Sequence, residues 1–251
     1  MPTQTPVAMM EPVESRLKVA MPNPAYGERM EASVHNVVGG FLLPNAESLV
    51  GDHHITGEYY PMLATEWTVG EDARSWTFKL REGIPWHGIG SNFSAQDVIH
   101  SFNRTHAKVS VHSYRSRWPT PDGAAGQVVG SITAVGDNEV RFDMVGPYTR
   151  LHKSIAGSEG LFITSKDYFD LVGEDGYRDN PVGTGPYQFV ELRSSEFSVW
   201  EAVPYDHYRV NPQFPELQLV FSDEEATRIA MMVNQETHTT VVSKTLSLIH
   251  I

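Results

Sequence analysis

The side chains able to do acid–base or metal chemistry in this chain are eleven histidines and a surplus of acids, with no cysteine. Without cysteine there are no disulfides, thiolate metal sites or sulfur nucleophile. His53-His54 sits in a Gly- and Asp-rich stretch, while His35, His87, His100 and His106 are scattered. A zinc site on one helix needs histidines at i and i+4 with an acid beside them, and no H-E-x-x-H occurs, so no metal is expected. Glu224-Glu225 and Glu174-Asp175 are adjacent acids. Neighbours in sequence point apart on a helix, which reads as solvated surface rather than a paired carboxylate centre. No G-x-S-x-G nucleophile turn is present. Pro181-Val-Gly-Thr-Gly-Pro-Tyr187 is glycine-rich, but it lacks the Lys-Ser/Thr of a phosphate loop, and Pro186 removes an N–H that a phosphate would need. Two glycines between prolines read instead as a stiff, sharply bent backbone crossing. No catalytic set and no cofactor site emerge.

Nineteen basic against thirty-one acidic residues give a net charge of −12. This argues against a chain that coats a phosphate backbone, so no nucleic-acid partner is expected. At 251 residues and 40% hydrophobic, the chain can bury one large core or two ordinary ones. No apolar run of about 18 residues is present, so no membrane span is expected.

The elements that must position any site follow from periodicity. Arg16–Ala20 alternates and reads as a strand, and Met21–Ala25, with Pro22 and Pro24, as a loop. Residues 29–38 can form a short helix stopped by Gly39-Gly40. Thr65–Val69 and Ser75–Arg81 form a hairpin that places Trp76, Phe78 and Leu80 on one side. Ser94–Arg104 is the clearest helix, with Ser94 as N-cap, Asp97 at the capping-box position and Ala95, Val98, Ile99 and Phe102 as its apolar face. A second hairpin spans 128–135 and 139–145, residues 164–172 look helical, 186–192 pairs with 196–203, and Glu216–Phe221 is a last strand. Residues 223–236 read as a helix capped by Asp223, with Ala226, Ile229, Ala230 and Val233 on one face. Hairpins mixed with helices, without regular βα alternation, predict an α+β fold.

Three ordered segments carry a resemblance. Pro61-Met-Leu-Ala-Thr-Glu-Trp67 leads through Trp76-Thr-Phe-Lys-Leu-Arg-Glu-Gly83 to Trp86-His-Gly88; Ser94-Ala-Gln-Asp-Val98 is followed by Ser101 and Arg104; and Pro181–Tyr187 reads P-V-G-T-G-P-Y. Together they resemble the family 5 extracytoplasmic solute-binding proteins of ABC importers, the dipeptide-, oligopeptide- and nickel-binding type. Pro204-Tyr-Asp-His-Tyr208 is similar to that family's N-P-x-Y, and 223–236 to its helix ending in Gly-Glu. The loop Trp86–Asn92 departs from the family pattern, as does Asn234-Gln235-Glu236. The resemblance covers residues 15 to about 236, the first half of the family's fold.

The resemblance implies a mixed α/β, periplasmic-binding-protein-like type II clamshell, truncated to its first lobe. Residues 15–50 and 182–236 would form that discontinuous lobe and 51–181 an inserted, hairpin-rich subdomain. Residues 1–14 read as a flexible tether of the kind that follows an export signal or a lipid-bearing cysteine. Leu246–Ile251 resembles the translation of a transposon-end adapter, so 237–251 is expected to be a non-native tail. The implied function is capture of a small peptide or related solute outside the cytoplasmic membrane and its delivery to permease subunits, by a monomer and without catalysis. The alternative is a carboxylate-dependent hydrolase on a similar scaffold. The implied ligand contacts are Met21, Pro22 and Asn23 after the first strand, with Tyr26 and Tyr114; the Gly-Thr-Gly-Pro-Tyr segment is implied to be structural.

Overall fold

A computed structural model describes residues 15–24, 44–53, 55–107, 110, 115–156 and 161–242. Two sheets organise them. The first is mixed and five-stranded, in the order β11-β1-β10-β9-β8. Its strands are β1 (Arg16–Met21), β8 (Tyr187–Arg193), β9 (Phe197–Ala202), β10 (Glu216–Phe221) and β11 (Thr239–Thr240). β1 runs parallel to β10, with Arg16 opposite Glu216 and Met21 opposite Phe221, and parallel to β11 on its other side. β10, β9 and β8 are antiparallel neighbours. The second sheet is antiparallel, β4-β5-β7-β6, from β4 (Ala64–Val69), β5 (Ser75–Leu80), β6 (Val129–Ala134) and β7 (Glu139–Met144). A short ribbon pairs β2 (Val50–Asp52) with β3 (Tyr59–Pro61).

Strand alternation explains the second sheet. Trp76, Phe78 and Leu80 on β5 and Val140, Phe142 and Met144 on β7 are all buried beneath helix α1 (Ala95–Arg104). Phe102 of α1 meets Phe142 edge to face at 5.2 Å and Trp118 at 4.8 Å. Each such buried aromatic contributes about 1.5–3 kcal/mol. The Asp97 carboxylate accepts from the Ser94 N–H (2.8 Å) and hydroxyl (3.1 Å) at the start of α1. It also accepts from the Lys166 N–H (2.7 Å), which opens α3 (Lys166–Asp179). One buried acid thus satisfies donors at two helix starts. Burial raises its pKa, opposed by these hydrogen bonds. α2 (Leu151–Ser154) is a single turn. The helix expected over 164–172 continues to Asp179, but with a break at Gly173, whose φ of 70° and ψ of −173° are not helical.

One expectation is corrected. Residues 223–236 contain α4 (Glu225–Val233), but the stripe Ala226, Ile229, Ala230 and Val233 is not its buried face: Val233 is 70% exposed, and Arg228 is the buried residue. Residues 237–242 do not hang off the fold. Thr237 is buried, the His238 N–H donates to the Lys18 carbonyl (2.9 Å), and β11 forms the edge of the first sheet. The expected tether 1–14, the helix 29–38 and the end of the tail lie outside the described residues.

Among the described residues there are two hydrophobic clusters. One contains the β5–β7 aromatics and runs from Leu49 to Val182. The other lies on the first sheet around Trp200, Leu217, Leu219 and Phe221, with Ala46 and Phe162. The chain passes between them at residues 44–47 and 182–187. There the Gly185 N–H donates to Asn45 O (2.8 Å), the Tyr187 N–H to Pro44 O (3.0 Å) and the His87 N–H to Gly183 O (3.0 Å). A Cβ at Gly183 would overlap the carbonyl and side chain of Asn45, and one at Gly185 would lie 2.5 Å from Pro44 O. The stiff crossing read from the sequence is a place where two backbones touch. Gly183→Ala is expected to destabilise the chain by roughly 3 kcal/mol or more, since backbone must move. Gly146→Ala, where a Cβ meets nothing, should change stability by less than about 1 kcal/mol. Urea denaturation of both variants checks this, and equal midpoints would refute it.

Candidate ligand-binding site

In an open sheet, ligands lie beyond the carboxyl ends of parallel strands. β1, β10 and β11 are the parallel strands here, and their carboxyl ends meet at one edge. The Met21 carbonyl accepts from the Ser222 N–H (2.9 Å), and the Ala20 carbonyl from the Val241 N–H (2.9 Å). Beyond Met21 the chain continues through Pro22, which is exposed, and Asn23 and Pro24, which are half-buried. The Asn23 N–H donates to Asp223 Oδ1 (3.1 Å). The β8–β9 turn reaches the same edge, because the Phe221 N–H donates to the Glu196 carbonyl (2.8 Å).

Arg228 holds these pieces together. Its guanidinium donates to the carbonyls of Ser222 (2.7 Å), Asp223 (2.9 Å) and Val241 (3.1 Å), the residues that leave β10 and β11. A buried cation must find acceptors, and among the described residues these three carbonyls answer that need without a carboxylate partner. Turning Arg228 inward rotates the apolar stripe of α4 outward. Glu224, not Asp223, is the N-cap residue of α4. The Asp223 side chain turns to Asn23 instead.

Met21, Pro22 and Asn23 are thus brought to one edge, while Tyr26 and Tyr114 lie outside the described residues. Sequence reading missed Asp223 and Arg228 as members of this edge. The available signal was one arginine beside a run of apolar helix residues.

A second polar cluster lies at the crossing, by the amino ends of β1 and β10. Glu47 is fully buried. It accepts from Arg209 Nε (3.0 Å) and from the Thr184 hydroxyl (3.1 Å). The His207 Nε2–H donates to the Thr184 carbonyl (2.9 Å), and that nitrogen lies 3.6 Å from Glu47. His87 donates through Nε2 to Gly185 O (2.8 Å) and accepts at Nδ1 from the Asn45 amide (3.2 Å). An open cleft of about 470 Å³ lies nearby, lined by Ala202–Asp206, Asn211 and Pro212. It is at the far end of the sheet from Met21. His100 packs on Phe169 (5.0 Å) and His106 faces the Trp118 carbonyl (3.3 Å). His53 accepts from the Thr56 N–H (3.2 Å), and His35 and His54 lie outside the described residues. Glu174 pairs with Arg104 and Asp175 with Arg178, as surface acids do. Among the described residues no group of three or more His, Asp or Glu could hold a metal ion. No helix among them is long and apolar enough to cross a membrane.

The fold is mixed α/β, of the type II periplasmic-binding-protein kind. It superimposes on a periplasmic binding protein DppA of Helicobacter pylori, solved with the peptide STSA, with a TM-score of 0.73 and 25% identity, over 88% of this chain and 45% of that one. A dipeptide-binding protein of Pseudoalteromonas sp. SM9913, solved with Met-Leu, gives a TM-score of 0.75 at 22% identity, over 92% of this chain and 48% of that one. The family model for bacterial extracellular solute-binding proteins, family 5 Middle, matches residues 58–248, and the chain belongs to that family. The dipeptide-binding protein of Escherichia coli (strain K12) is 28% identical over 197 residues, 72% of this chain and 36% of that protein. The chain spans less than half the length of these relatives. Members of the family are periplasmic substrate-binding proteins rather than enzymes.

Two histidines, His87 buried and His100 half-buried, make stability depend on pH. Burial holds His87 at about 4, helped by the nearby His207 and opposed by its hydrogen bond to Gly185 and the charge of Glu47. Burial also holds His100 at about 4, with Arg104 and Lys166 beside it lowering it further and Asp170 opposing. The folded chain therefore binds fewer protons than the unfolded one between about pH 4 and 6.5. Stability from these groups is complete above the unfolded value near 6.5 and is lost as pH falls toward 4, by at most about 1.4 kcal/mol per unit per histidine. Denaturation midpoints at pH 7, 5.5 and 4.5 should fall in that order, and His100→Gln should flatten the slope. A flat wild-type profile would refute neutral burial.

Proposed function

We propose that this chain supplies one ligand-facing surface of an extracytoplasmic solute-binding protein. The captured solute is a small peptide or a chemically related molecule, passed by a monomeric carrier to the permease subunits of an ABC importer. The carrier works in the periplasm or on the outer face of the cytoplasmic membrane, where a lipid anchor would keep it near its permease. The observation that carries this reading is the convergence of β1, β10 and β11 on an extended, half-exposed Met21–Pro24 segment. Membership of family 5 and the peptides present in two similar structures support the ligand class. Met21, Pro22 and Asn23 are the proposed contacts, with Tyr26 and Tyr114 as further candidates. Among the described residues of the edge no nucleophile is paired with a base, so the hydrolase reading gains no support from them.

Binding proteins of this kind derive affinity from burying a ligand between two surfaces. One surface leaves its hydrogen-bonding groups competing with water, so dipeptide binding by this chain should be no tighter than about millimolar, or about −4 kcal/mol. Titration with L-alanyl-L-alanine followed by amide NMR should shift residues 21–24 and 222–224. Shifts confined to other parts of the chain, or none at tenfold above that concentration, would overturn the proposal.

A further inference from the structure

The edge at Pro22–Pro24 has an unusual polarity. Pro22 and Pro24 have no N–H. The one N–H between them, on Asn23, is taken by Asp223 Oδ1 at 3.1 Å. Main-chain donors are therefore missing from three consecutive residues. The carbonyls of Pro22 and Asn23 have no partner among the described residues, whereas the Met21 carbonyl is occupied by the Ser222 N–H. Asp223 is not free to turn away at no cost, because Arg228 grips its carbonyl and that of Ser222.

We infer that this edge accepts and does not donate: its backbone recognises a ligand through the ligand's amide N–H groups. Asp223 and Arg228 are the positioning residues that maintain that polarity. The inference rests on the proposed function for its ligand, but not for the polarity itself. A β-strand edge normally alternates donors and acceptors, so an extended peptide pairs with it in both senses. Here only half of that pairing is available. An amide N–H of the ligand has carbonyls to meet. An ester oxygen or carboxylate placed there would face carbonyl oxygens with nothing to share. Within residues 22–24 the Asn23 side-chain amide is the remaining donor, and it can serve a ligand carbonyl.

Two measurements on the full chain separate the polarity from the function. The first needs no ligand. Hydrogen exchange at the Asn23 amide should be slowed in the wild type; Asp223→Ala should remove about tenfold or more of that protection, and Asp223→Asn, which keeps an acceptor oxygen, should retain it. Because Asp223 is exposed, the β1 and β10 amides should stay protected in both variants. An Asn23 amide that exchanges freely, or that ignores Asp223→Ala, would overturn the inference and leave the proposed function standing. The second compares L-alanyl-L-alanine with L-alanyl-L-lactate, in which an ester oxygen replaces the amide N–H. The ester should bind about tenfold or more weakly, with loss of shifts at residues 22–24. Equal binding of the two at this edge would overturn the ligand class inferred here. Failure of both probes to shift the edge, with Asn23 protected as expected, would instead overturn the proposed function and the ligand assignment with it.

Discussion

The rest of the structure depends on the approach of two backbones at Gly183-Thr184-Gly185 and Pro44-Asn45. No side chain fits between them. The crossing joins a sheet that carries a candidate ligand edge to a separate antiparallel sheet with its own aromatic core. Because the contact is backbone on backbone, it has no rotamers to adjust. Its polar groups are answered at short range: Gly185 and Tyr187 donate to 44–45, His87 bonds both glycine carbonyls, and Thr184 bonds Glu47. Glu47 is a fully buried carboxylate, tolerable because Arg209 and Thr184 supply charge-assisted donors. A buried ion pair is poor evidence for stability in itself. Its geometry matters here because it ties residue 47, before the inserted sheet, to residues 184 and 209 after it.

The other end of the first sheet is organised by a cation. Among the described residues Arg228 meets three carbonyls and no carboxylate, so its charge is spread over the last peptide groups of β10 and β11. That choice has two consequences. It fixes the turn that carries Asp223, and through Asp223 the Asn23 N–H. It also leaves Ile229 half-buried and Ala226, Ala230 and Val233 exposed, so the helix is attached by a polar grip rather than by its apolar stripe.

Much of this was legible in the sequence, for identifiable reasons. Strands came from alternation, and Glu216–Phe221 and Ser75–Leu80 were found because each buries every second residue. α1 came from its capping pair and its 3.6-residue period. The crossing was legible from two glycines confined by prolines. What failed were the steps where periodicity names an apolar face without naming what lies against it. The stripe on α4 was real, but burial of Arg228 offered more hydrogen bonds than the stripe offered area. β11 is two residues long, too short for alternation to register, and its place is set by pairing with Lys18–Ala20 more than 200 residues away. Asp223 illustrates a different limit. Asp before a helix predicts a cap, but the same carboxylate can serve any nearby N–H, and only the fold reveals that Asn23 is closer.

The crossing and the proposed ligand edge are thus separated along the strands. β1 and β10 are six residues each, about 20 Å at 3.3 Å per residue. The buried histidine and glutamate of the crossing lie by their amino ends, and the Met21–Pro24 edge at their carboxyl ends. At that distance, about twice a Debye length in ordinary salt, a charge change at His87 is screened from the proposed ligand edge through solvent. Acid therefore acts on the joint that holds the two sheets together rather than on the polarity of Asn23. That polarity is set by two prolines that have no proton to lose and by one carboxylate–amide hydrogen bond. The hydrogen-bonding character of that segment is thus fixed by ring nitrogens and one local contact, while the stability of the scaffold behind it changes with protonation at the crossing.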